Sequence, residues 1–127
     1  MNDPTPGSET PGPALDGAAL ARLRELDPDG RHGVVPRVLG AFEQSLVRML
    51  GQLRDIADAG DAAAVAAIAH TLKSSSASVG ALALASACTE IERRLRSGAV
   101  GDLAADVQRL LAEGEAAIQA VGAMLRP

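Results

Sequence analysis

Between Val34 and Ala59 the apolar residues Val35, Val38, Leu39, Phe42, Leu46, Met49, Leu50, Leu53 and Ile56 recur in steps of three and four. Arg37, Gln44, Arg48, Gln52 and Asp55 fill the other side. At about 100° per residue this spacing gathers one apolar stripe along a helix of roughly seven turns. Such a stripe needs other helices to cover it, so the segment constrains the fold more than any other. Pro36 falls in the first turn, where its missing N–H has no helical partner to lose, and Gly60 ends the pattern.

The rest of the chain supplies the covering elements. Asp61 is placed to cap a helix over residues 62–78 with Val65, Ile68, Leu72, Ser75 or Ser76, and Val79 inward. A third long helix fits 81–97, with Leu84, Cys88, Ile91 and Leu95 inward and Gly98 closing it. A last one starts at Asp102 and runs to about residue 125 on Leu103, Val107, Leu110, Leu111, Ile118, Val121 and Leu125. Gly114 and Gly122 weaken it by about 1 kcal/mol each relative to Ala, so its end is expected to fray. A short helix fits 17–26, with Asp16 as N-cap and Leu20, Leu23 and Leu26 on one side, and Asp27-Pro28-Asp29-Gly30 stops it. Residues 1–14 hold four of the seven prolines and read as a disordered tail.

One Phe and no Trp or Tyr among 127 residues favour packed helices over sheets. The expectation is an all-α domain over 15–127: an antiparallel up-down four-helix bundle with a short additional N-terminal helix. A net charge of -4 and the lack of stacking aromatics argue against nucleic acid as a partner. No segment has the ~20 consecutive apolar residues of a membrane span. Asp3, Pro4 and Pro6 stand where a signal peptide needs a basic start, so a cytoplasmic, monomeric protein is expected. Cys88 is the one cysteine, which leaves no intramolecular disulfide, and its spacing with Leu84 and Ile91 places it in the core.

Chemistry concentrates at His70. On a helix it lies about 160° from Ile68 and Leu72, the residues that face the core, so its imidazole points to solvent. Lys73, Ser74 and Ala77 follow at i+3, i+4 and i+7, giving an exposed face with one nucleophile, one cation and otherwise small side chains. His32, in the loop-like Gly30-Arg31-His32-Gly33, reads as a surface histidine without a role. No second histidine or cysteine stands at metal-ligand spacing, and no bound cofactor is expected.

The run Ala69-His70-Thr71-Leu72-Lys73-Ser74-Ser75-Ser76-Ala77, with Gly80-Ala81, resembles the signature of histidine-containing phosphotransfer (HPt) domains. In that signature an Ala-His-x-Leu-Lys-Gly core is followed by small residues and by a glycine ten positions after the histidine. Phe42 in the preceding long helix, Gly60-Asp61 before the histidine helix, and Cys88, Ile91 and Glu92 after it extend the resemblance over roughly 15–125. Ser74 departs from it, standing where many members have glycine. It adds a methylene and a hydroxyl where a partner would approach, but serine is still small, so slower or more selective transfer is expected at most.

The resemblance implies that His70 accepts a phosphoryl group from the aspartyl phosphate of one receiver domain and passes it to the aspartate of another. The chain would then be a phosphotransfer intermediate without kinase activity of its own, and the Mg²⁺ of the reaction would belong to the receiver. Imidazole, with an ordinary pKa of about 6.5, offers a neutral nucleophile near pH 7 without an activating base. Lys73, one turn away, is positioned to stabilise charge on the transferring oxygens, against the plainer reading of a solvated helix lysine. If the His70 and Glu92 helices form a hairpin turning near Val79, Glu92 can accept from Nδ1–H and leave Nε2 free; its plainer role is an i,i+4 pair with Arg96. Ser74 and Ala77 belong to the partner-facing surface, and Ser75 and Ser76 are expected to bond backbone carbonyls one turn earlier. Two other readings stay open: a non-catalytic module that sequesters a receiver or regulator, and a hydrolase using His70 with a serine.

Overall fold

The computed structural model describes residues 15–98 and 101–127, so the expected tail at 1–14 lies outside the described residues. Five α-helices and no strand occur among them: α1 (Gly17–Glu25), α2 (Val34–Ala59), α3 (Ala62–Ser78), α4 (Leu82–Arg96) and α5 (Leu103–Leu125). Three starts are set by aspartates that satisfy otherwise orphaned backbone donors. Asp16 accepts from the Ala19 N–H at 3.1 Å, Asp61 from Ala64 at 3.1 Å and Asp102 from Ala105 at 3.2 Å. Each such cap stabilises its helix by about 1 kcal/mol. The expected 81–97 helix is one residue shorter at each end, because Ala81 and Ser97 serve as its caps. Asp102 likewise precedes α5 rather than opening it.

α3 packs most extensively on α4, α2 on α5, α4 on α5 and α2 on α3, with α1 lying against α2. The enclosed core takes Leu39, Phe42, Leu46, Leu50 and Leu53 from α2, Val65, Ile68 and Leu72 from α3, Leu84, Cys88 and Ile91 from α4, and Val107, Leu110 and Val121 from α5. Burial of each large apolar side chain contributes about 1.5–3 kcal/mol. Met49, Ile56, Leu95, Leu103, Leu111, Ile118 and Leu125 are half-buried against the edge of this core.

Two glycines permit close approaches. Gly80, at φ 83°, sits in the α3–α4 turn, where its carbonyl accepts the Asp16 N–H at 2.8 Å. A Cβ there would lie 2.6 Å from the Asp16 nitrogen, so glycine is what lets the start of α1 dock on this turn. Gly114 is buried in α5, and a Cβ on it would stand 2.7 Å from Leu50 Cδ2. Instead of marking a frayed end, this glycine brings α5 close to α2, and the helix continues unbroken to Leu125. The packing it permits opposes its poor helix propensity.

The sequence expectation for Leu26 is corrected. α1 stops at Glu25, and Leu26, its C-cap, is 70% exposed. The inward place is taken by Asp27, whose buried carboxylate accepts the His32 N–H at 3.0 Å and the Val34 N–H at 3.2 Å. The chain leaves the helix at Leu26, and the backbone donors of the following loop hold Asp27 inward while Leu26 faces solvent. The Asp27 contacts also order the α1–α2 loop and supply the first N–H of α2 with an acceptor that its N-cap Gly33 has no side chain to provide.

Candidate functional site

The three-residue connection between α3 and α4 folds them into a tightly packed pair, and this brings residues 22 positions apart into contact. The His70 side chain is 60% exposed, whereas that of Glu92 is only 8% exposed. Nδ1 of the imidazole lies 2.8 Å from Glu92 Oε2. Lys73 Nζ donates to Glu92 Oε1 at 2.9 Å, and Arg96 Nε lies 2.9 Å from Oε2. The two alternatives for Glu92, imidazole partner and i,i+4 partner of Arg96, therefore coexist on one carboxylate.

The electrostatics of the cluster assign its protons. The Lys73 hydrogen bond holds the Glu92 carboxyl below the usual carboxylate range; burial opposes this, and the His70 contact adds to it. An ionised carboxylate can only accept, so the proton of the His70–Glu92 contact sits on Nδ1. In the neutral ring the lone pair is then on Nε2. Beneath Glu92, burial pushes the Cys88 thiol up to about 12, with the Glu92 charge acting in the same direction and Lys73 against it. The cysteine is a protonated core residue, not a nucleophile.

The remaining sequence candidates distribute around this cluster. Ser74 and Ala77 are exposed on α3 beyond His70. Ala77 also lines a shallow groove with Ser78, with Ala19, Arg22 and Leu23 of α1 and with its C-cap Leu26, so the exposed face continues onto the first helix. His32 is exposed in the α1–α2 loop, where its backbone N–H serves Asp27. The serine run divides by direction. Ser75 is exposed and its hydroxyl donates to the Leu72 carbonyl at 3.3 Å, but Ser76 takes the core position and its buried hydroxyl has no hydrogen-bond partner. The expected carbonyl bond at Ser76 is not made.

Lys73 differs from the picture of a cation left to solvent, since its ammonium is held on Glu92. Arg96, read from the sequence only as a surface pair, joins the same carboxylate. The i,i+4 spacing signals the Arg96–Glu92 contact; nothing in the linear order signals that the carboxylate is nearly buried between two helices. Among the described residues no group of three or more His, Cys, Asp or Glu side chains is placed to hold a metal, and no helix is long and apolar enough to cross a membrane.

The fold that carries this cluster has known counterparts. A family model of the Hpt domain matches residues 37–123. The crystal structure of histidine-containing phosphotransfer protein B (HptB) from Pseudomonas aeruginosa PAO1 is similar to this fold, with a TM-score of 0.76 and 28% sequence identity. The match covers 91% of this chain and 97% of that chain. No curated protein matches the chain. The family match takes in the helices that carry His70, Lys73, Glu92 and Arg96, and on it the chain belongs to the Hpt domain family.

Proposed function

We propose that this chain relays phosphoryl groups between receiver-domain aspartates in a two-component phosphorelay, with His70 as the residue that carries the group. The observation behind the reading is an exposed imidazole whose Nδ1 is held 2.8 Å from a nearly buried, ionised carboxylate. That contact leaves Nε2 aimed away from Glu92 with its lone pair available. In the forward step Nε2 attacks the phosphorus of an aspartyl phosphate; the N–P bond forms as the O–P bond breaks, and the aspartate leaves as a carboxylate. Positive charge arising on the ring is balanced by Glu92, which keeps its hydrogen bond to Nδ1–H. Lys73 acts electrostatically on the transferring oxygens.

The partners are receiver domains of response regulators or hybrid kinases, which supply the Mg²⁺, and Ser74 and Ala77 face them. The domain spans 15–127 as an antiparallel up-down bundle of α2 to α5, with α1 across the end at the α3–α4 turn. It works as a cytoplasmic monomer. His70→Gln tests the assignment: the variant should stay helical and take no label from a receiver carrying phosphoaspartate, while His32→Gln should label as the parent does. In the parent the label should be acid-labile and base-stable. Equal labelling of His70→Gln would remove the assignment, and tight receiver binding without any transfer would make the chain a sequestering module.

A further inference from the structure

Glu92 has more positive partners than its charge requires. Lys73 alone occupies Oε1, at 2.9 Å, while His70 Nδ1 at 2.8 Å and Arg96 Nε at 2.9 Å share Oε2. Two permanent cations face one carboxylate that also meets the imidazole. The local sequence makes the place for Arg96. Glu92 precedes it by four residues on the same helix, the favourable order for such a pair. Arg96 and Leu95 also border a groove lined on the α3 side by Ala62, Ala63, Ala66 and Ala67, where short side chains leave room for a guanidinium next to the turn before His70. Nε is only one of five N–H donors on the group, and the side chain is 62% exposed.

We propose that Arg96 is a positioning residue for phosphoryl transfer: by staying paired with Oε2 and holding the Glu92 carboxylate in place, it frees Lys73 to carry its ammonium from Oε1 to the phosphoryl oxygens. The inference rests on the reading of His70 as the phosphoryl acceptor. As Nε2 forms its bond to phosphorus and the aspartyl O–P bond breaks, charge spreads over the three equatorial oxygens, one helical turn from the root of Lys73. A flexible four-carbon stem lets the ammonium follow that charge. Without Arg96 the move would strip a nearly buried carboxylate of its last permanent cation, and the cost of stranding that charge would keep Lys73 where it is. With Arg96 present, Oε2 stays paired and Nδ1–H keeps its acceptor throughout.

The consequence is that Arg96 acts through Lys73, which a double-mutant cycle reads directly. The intact chain and its Lys73→Met, Arg96→Met and doubly substituted forms are mixed, at saturating receiver, with a receiver phosphorylated by acetyl phosphate. The receiver used is the one from a panel that labels the parent fastest, and single-turnover transfer is timed. Arg96→Met should slow transfer by about tenfold in the parent and by less than about twofold when Lys73 is already Met. Arg96→Lys should restore most of the rate, because a point charge at i+4 still pairs with Glu92. Nitrogen-detected NMR should find the His70 tautomer unchanged in Arg96→Met, since Lys73 then holds the carboxylate. Equal slowing in both backgrounds, an unaffected rate, or a lysine variant as slow as the methionine one would each overturn the proposal. A parent that accepts no label would overturn the His70 reading as well, whereas a labelled parent with additive variants overturns this inference alone.

Discussion

At the scale of single residues, the site works by giving one carboxylate several obligations. Glu92 is ionised because Lys73 donates to it, and its ionisation in turn assigns the proton of His70 to Nδ1. Glu92→Ala should therefore shift His70 toward a mixture of tautomers, measurable as a change in the two ring nitrogen shifts; an unchanged pair of shifts would reduce Glu92 to a surface ion pair. Its depressed pKa also carries a pH dependence of definite sign. A group whose folded pKa lies below its unfolded value adds stability above the unfolded value, and this is lost as pH falls through the folded one. Urea melts below the usual carboxylate range should accordingly show part of the acid loss of the parent missing in Glu92→Gln. The motif around His70 was legible in the linear order because its residues lie within three helical turns. The share taken by Arg96 was not, since its meaning depends on how deeply the α3–α4 pairing buries Glu92.

At the scale of elements, α3 divides a run of small residues by direction alone. Ser76 is buried and Ser74, Ser75, Ala77 and Ser78 are exposed, although their chemistry is nearly the same. The exposed ones leave the surface beyond His70 low, which under the proposed relay is where a partner would come near. Ser74, one turn from the histidine, sets the height of that surface. Ser74→Gly should preserve or speed transfer at a helix cost of at most about 1 kcal/mol. Ser74→Gln, acceptable to an exposed helix, should weaken receiver docking by standing between Nε2 and the incoming aspartate. The two variants should move in opposite directions in a receiver-binding titration, and normal docking by the glutamine variant would show that the partner comes from another side. Helix periodicity located α2 to α5 closely because burial on one face is written every three or four residues. It misplaced Leu26, where a buried aspartate outside the helix decided which residue turned inward.

For the molecule as a whole, the α3–α4 turn joins the phosphotransfer helix to the first helix. Gly80 accepts from Asp16, and that same aspartate caps α1, so one contact fixes both the start of α1 and the turn. Gly80→Ala should lower the urea midpoint by at least about 1–2 kcal/mol of stability, the penalty of a left-handed backbone for a residue with a Cβ, and more from the clash with Asp16. A midpoint within error of the parent would mean that α1 is not held there. The part-buried Arg94–Asp106 pair and the exposed Arg109–Glu90 pair tie α4 to α5, and Arg54–Glu115 ties α2 to α5. By itself the sequence determined the helical class, the aspartate caps at Asp16 and Asp61, most of the core and the identity of the exposed histidine, because each follows from spacing along one helix or from the preferences of a few adjacent residues. Only the tertiary structure decided that Glu92 is nearly buried and shared by three donors, that Gly114 admits Leu50, and that α1 extends the face beside Ala77. Those are contacts between helices, and their existence depends on relative rotation and depth, which no single helix specifies.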